Sequence, residues 1–107
     1  MRTHAEIDAR SLELARAVVE KIDKDPQRDG LRRARELCAR WFQENPVPAI
    51  GEWQEILRMD WEHVRKILLD ESENGQRLRQ SSPFCDVLDP RERWEIYRRF
   101  THEHTAT

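Results

Sequence analysis

Apolar positions in the first quarter of the chain recur at steps of three, four and seven: Ile7, Leu14, Val18 and Ile22, with Ala15 and Val19 beside them. At 3.6 residues per turn these positions fall on one stripe, so the spacing predicts an amphipathic helix from about Ala5 to Lys24. Asp25-Pro26 ends it, because the residue before a proline is pushed out of the helical region. A second stripe, Leu31, Ala34, Leu37, Cys38, Trp41 and Phe42, runs to a stop at Asn45-Pro46, and the two helices are expected to form an antiparallel hairpin. Pro46-Val47-Pro48 then makes a stiff connector.

Two shorter periodic segments follow, Glu52 to Arg58 and Asp60 to Glu71, meeting at Arg58-Met59-Asp60 with almost no loop, and Asp60 is placed to cap the second. Trp53, Leu57, Met59, Val64 and Ile67 have the spacing that pins two helices across a tight turn. On those residues Gly51 to Leu69, under a fifth of the chain, resembles a helix-turn-helix module, with Gln54 where that family usually has a small residue and Arg58 where it usually has the turn glycine. The resemblance implies a transcriptional regulator in which Arg58, Arg65 and Lys66 touch phosphates or bases while the other helices dimerise. The residues also carry a contrary signal. Asp60 and Glu62 would repel phosphate at the end that enters the groove, and Trp61, Val64 and Leu68 form an apolar row beside the Val64–Ile67 row, so this helix is expected to bury two sides.

Asn74-Gly75 breaks the pattern, Gln76 to Ser81 reads as a single turn, and Ser82 to Leu88 reads as an ordered loop anchored by Phe84, Val87 and Leu88. Asp89-Pro90-Arg91-Glu92 is a helix start: Asp89 can accept from orphan amides, Pro90 suits the first turn, and Glu92 can reach back as in a capping box. That helix is expected to reach about Thr101, with Trp94, Tyr97 and Phe100 on one face, Ile96 beside it, and frayed residues from His102 onward. The expected fold is all-α: a single domain, residues 1–107, folded as a compact bundle of about five helices that includes the helix-turn-helix-like pair. Its core is expected around Leu14, Val18, Leu37, Trp41, Trp53, Leu57, Val64, Ile67, Trp94 and Tyr97.

Composition narrows the function classes. With 107 residues there is material for one core, and 37% charged residues with only three glycines favour exposed helix faces over a turn-rich sandwich. A net charge of −2 provides no global basic field for nucleic acid or anionic membranes. Nucleic acid remains possible through a local patch, and a membrane partner is not expected. Cys38 and Cys85 have neither metal nor redox spacing and read as free thiols of a reducing compartment; the first residues lack an apolar signal run, and nothing approaches the roughly 20 apolar residues of a span, so the expected location is the cytoplasm.

Ser81, Ser82 and Cys85 have no histidine or glycine-rich oxyanion signature near them, and His4, His102 and His104 have no acidic or thiol partner at matched spacing. The expectation is therefore a non-enzymatic chain without cofactor or metal. Four tryptophans in a short chain point instead to protein contact, since indoles are enriched at interface hot spots. Trp41, Trp53 and Trp94 suit the core, which leaves Trp61 as the expected surface anchor, while Arg77 and Arg79 lie where they can supply polar specificity. The leading expectation is an interaction or regulatory module, a small adaptor or antitoxin-like inhibitor, that buries helix faces against a protein partner or against a second copy in a homodimer.

Overall fold

The structure is a computed structural model that describes residues 4–105, with side chains from 6 to 99. Six helices appear among the described residues: α1 (His4–Lys24), α2 (Asp29–Glu44), α3 (Pro48–Ile56), α4 (Trp61–Leu68), α5 (Glu73–Arg79) and α6 (Pro90–Thr105). No strand occurs there, and the helices form a globule of 43 × 31 × 24 Å.

Helices α4, α5 and α6 begin on side chains that accept from their orphan amides, and α3 begins on a proline. Pro48 opens α3 behind an extended Val47, where a missing N–H costs nothing. The Asp60 carboxylate accepts from the His63 amide at 3.1 Å to start α4, and the Ser72 hydroxyl accepts from the Gly75 amide at 3.3 Å to start α5. At α6 the expected capping box is present: Asp89 Oδ1 accepts from the Glu92 amide at 2.8 Å, and Glu92 Oε1 accepts from the Asp89 amide at 3.0 Å.

The same Glu92 Oε1 accepts from Lys21 Nζ at 2.7 Å, so the residue that caps α6 also ties it to α1. Glu92 and Ile96, one turn apart, share a face of α6, and Ile96 is buried in the core. Trp94 lies two residues beyond Glu92, some 200° around the helix, and faces solvent. The expectation that Trp94 joins the core is therefore corrected, with Ile96 in its place.

The core runs from Val18, Val19 and Ile22 of α1 through Leu31, Ala34 and Cys38 of α2 to Trp53, Ile56 and Leu57 at α3. It continues into Trp61, Val64 and Leu68 of α4, Leu78 of α5, and the anchors Phe84, Val87 and Leu88. Of the remaining expected core residues, Leu14 and Ile67 pack against it partly buried, Leu37, Trp41 and Tyr97 are half-buried, and Met59 is exposed.

Several boundaries also differ from expectation: α3 starts at Pro48 rather than Glu52, and α4 ends at Leu68 rather than Glu71. Asn74-Gly75 lies inside α5 instead of breaking the chain, because Ser72 provides a start signal that overrides the turn preference of Asn-Gly. Helix α6 continues to Thr105 rather than about Thr101. The expected placement of Phe100 on its apolar face falls outside the described side chains.

Candidate functional site

The expected surface anchor, Trp61, is buried at 5% exposure. Its indole Nε1 donates to Asp23 Oδ1 on α1 at 2.7 Å, Arg65 Nε donates to Asp23 Oδ2 at 3.0 Å, and the Arg28 guanidinium lies 5.9 Å from the indole centroid. A carboxylate on α1 thus satisfies the polar edge of Trp61 and also takes Arg65, a group expected to face DNA. Trp61 is corrected from interface anchor to structural joint between α1 and α4. Arg58 lies at the α3–α4 corner, exposed and 3.7 Å from Glu55, and Lys66 is exposed on α4 between Glu62 and the Asp23-bound Arg65. The outer side of α4 therefore mixes both signs of charge and forms no cationic ridge.

Asp23 is held below the usual aspartate range, first by the Trp61 N–H and then by Arg65. Asp25 is lowered first by the Asp29 amide, Asp60 by the His63 ring, Asp70 by the Ser72 amide and Asp89 by the Glu92 amide. Each carboxylate is more acidic folded than unfolded, so the unfolded chain takes up protons first as pH falls. Stability from these five groups is complete above the ordinary value of about 4 and disappears below it. Urea midpoints are expected to stay level from about pH 7 to pH 5 and to drop below about pH 4; a level midpoint down to pH 3 would contradict the assignment.

Arg77 and Arg79, two residues apart on α5, have different surroundings. Arg77 is exposed and bonded to Glu52 Oε2 at 2.6 Å and Asn74 Oδ1 at 2.6 Å, which braces α5 against α3. Arg79 points inward and is only 8% exposed, so it is corrected from a surface specificity residue to a buried one. Its Nη1 donates to the carbonyls of Leu68 at 3.2 Å and Asp70 at 2.5 Å, and its Nε to Ser11 Oγ on α1 at 3.2 Å. One guanidinium thus joins the end of α4, α5 and α1.

Arg79 also lines a cleft of about 330 Å³ between α1, the end of α4, α5, the 82–88 segment and α6. Leu14, Val18, Leu68, Phe84 and Leu88 supply apolar walls, and Arg10 and Arg93 join Arg79 among the lining residues. Arg10 stacks on Tyr97, its carbon 4.8 Å from the ring centroid. Periodicity could not find this cleft: its walls come from five segments, and its arginines lie on three helices.

Beyond the cleft, α6 exposes Trp94 at 57%, with Arg98 5.4 Å from its indole centroid. The first ten residues of α6, 90 to 99, carry four arginines, Arg91, Arg93, Arg98 and Arg99, against two glutamates, Glu92 and Glu95. Cys38 is buried as expected for a small core residue; Cys85 is exposed at the cleft, and burial of its sulfur pushes the thiol pKa up, away from the reactive thiolate. No cluster of three metal-ligating side chains occurs among the described residues, and the side chains of His4, His102 and His104 lie outside them. Among the described residues no helix is long and apolar enough to cross a membrane. Comparison with protein-family models, with curated proteins and with solved structures finds no match for this chain.

Proposed function

We propose that this chain is a non-enzymatic interaction module that binds a protein partner through the outer face of α6, with Trp94 as its anchor. The observation that carries this reading is a large indole left 57% exposed in a globule that buries Trp53 and Trp61. Placing an apolar side chain of that size in water forgoes about 2 kcal/mol of burial, which a partner surface recovers. Arg98 beside the ring completes the tryptophan–arginine pairing enriched at binding hot spots. The arginine excess over residues 90 to 99 selects a partner whose contact surface is acidic around an apolar centre.

Affinity capture from the native host, with and without nuclease, compares wild type with Trp94→Ala. Trp94 is 57% exposed and outside the buried core, so the variant should keep its melting temperature, with stability changed by less than about 0.5 kcal/mol. It should lose at least ~2 kcal/mol, or ~30-fold, in affinity for the captured protein once that protein is titrated. Equal capture by wild type and variant would defeat the reading. Capture abolished by nuclease would favour the DNA-binding alternative through Arg58 and Lys66. A dimer seen by light scattering and lost in Trp94→Ala would place a second copy on this face instead of an acidic partner.

A further inference from the structure

Burying an ionised side chain is unfavourable unless a counter-charge or a full set of hydrogen bonds compensates. Arg79 is buried and makes its bonds to two backbone carbonyls and a hydroxyl, all neutral acceptors. Among the described residues no carboxylate lies within ion-pair distance of it. The nearby Asp70 carboxylate is already committed to the Ser72 amide at 2.9 Å and the Ser72 hydroxyl at 2.8 Å.

The wall that Arg79 belongs to repeats the same imbalance. The cleft is lined by three arginines, Arg10, Arg79 and Arg93, and by no aspartate or glutamate, in a chain whose net charge is −2. The remaining lining is mostly apolar, from Ile7 to Leu88. At about 330 Å³ the cleft falls at the lower end of small-molecule sites.

We propose that this cleft is a binding site for a small monocarboxylate with an apolar body, of the size and chemistry of a medium-chain fatty-acid anion. The carboxylate faces the arginines, whose planar fork matches it in a way that a point charge does not. The hydrocarbon lies against Leu14, Val18, Leu68, Phe84 and Leu88. Desolvation lowers the proton affinity of Arg79 and outweighs the opposing pull of the more distant Asp70, Asp8 and Glu71 carboxylates, a state that a bound anion relieves. Trp94 is not among the residues that line the cleft, and the site requires no protein partner.

Calorimetric titration of the full chain with octanoate tests the proposal against octan-1-ol and octylammonium. Saturable one-to-one binding of octanoate is expected, with the alcohol and the ammonium at least ~10-fold weaker, since one lacks the charge and the other reverses it. Arg10→Gln and Arg93→Gln remove half-buried cations from the lining and should each weaken octanoate about 5- to 10-fold while leaving octan-1-ol unchanged. Arg79→Lys keeps the charge, loses the fork, and is interpreted beside its own melting curve because Arg79 also ties α5 to α1. Trp94→Ala is the internal control: octanoate affinity should not change, so failure of the partner reading and failure of this one are separable. No saturable octanoate binding by folded wild type overturns the proposal. So does octan-1-ol binding as tightly, or unchanged octanoate affinity in both glutamine variants.

Discussion

Trp53→Ala is expected to lose about 3–5 kcal/mol of stability, the cost of emptying a fully packed indole site. A chain of this size has roughly 5–15 kcal/mol in total, so the variant should be largely unfolded at 37 °C. Trp53 is 0% exposed on α3, its ring meets Phe84 edge-on at 5.9 Å and 66°, and its Nε1 donates to the Leu78 carbonyl at 2.9 Å. A single side chain therefore joins α3, the end of α5 and the loop before α6. Packing and hydrogen bonding can be separated here. The Leu78 carbonyl also accepts from the Ser81 amide at 3.1 Å, so deleting the indole N–H does not orphan it. Trp53→Phe should then cost only about 1–2 kcal/mol, mainly unfilled volume with one net hydrogen bond lost. Urea unfolding followed by circular dichroism measures both variants. A Trp53→Ala midpoint within about 0.5 kcal/mol of wild type would remove Trp53 from the centre of the core.

The helices were legible in the sequence because their signals are local. The Asp60 cap and the reciprocal Asp89–Glu92 box act within four residues of themselves, and both are present where the residue types place them. The anchors Phe84, Val87 and Leu88 were legible for a related reason: apolar side chains in a segment too short for its own core must join a neighbouring one.

The direction each face takes was not legible, because long-range contacts decide it. On α6 both the Trp94 and Ile96 stripes are consistent with the periodicity; packing against the core buries Ile96 and leaves the indole outside, and the exposed Lys21–Glu92 bond, between residues 71 apart, lies on the Ile96 side. On α4 the indole of Trp61 turns inward because Asp23, 38 residues earlier, accepts its N–H. Arg77 and Arg79, alike in sequence and two residues apart, separate because positions two apart on a helix lie some 200° apart, so α5 does not expose both. The candidate cleft was the least legible part. Its charge imbalance exists only after α1, α5 and α6 bring Arg10, Arg79 and Arg93 together.

Gly75→Ala is the second large effect expected, and its sign opposes helix propensity. In a helix interior alanine is ordinarily worth about 1 kcal/mol more than glycine. At Gly75 an added Cβ would lie 2.1 Å from the Asp70 carbonyl oxygen and 2.8 Å from the Asp70 carbonyl carbon, contacts with backbone that cannot rotate away. Asp70 is also held in place: its carbonyl accepts from Arg79 at 2.5 Å and its carboxylate is bonded to Ser72. Relief therefore requires shifting the α4–α5 connection and the buried guanidinium together, and the expected cost is at least ~2 kcal/mol, or about 10 °C in melting temperature. Gly51→Ala provides the matched control. In α3 the added Cβ would meet only Phe42, at an ordinary 3.6 Å, and that variant should gain about 0.5–1 kcal/mol. Opposite signs for one chemical change at two helical glycines isolate the Asp70 contact. A stabilised Gly75→Ala would show that α5 does not press against Asp70, and would remove the support that positions Arg79 in the cleft wall.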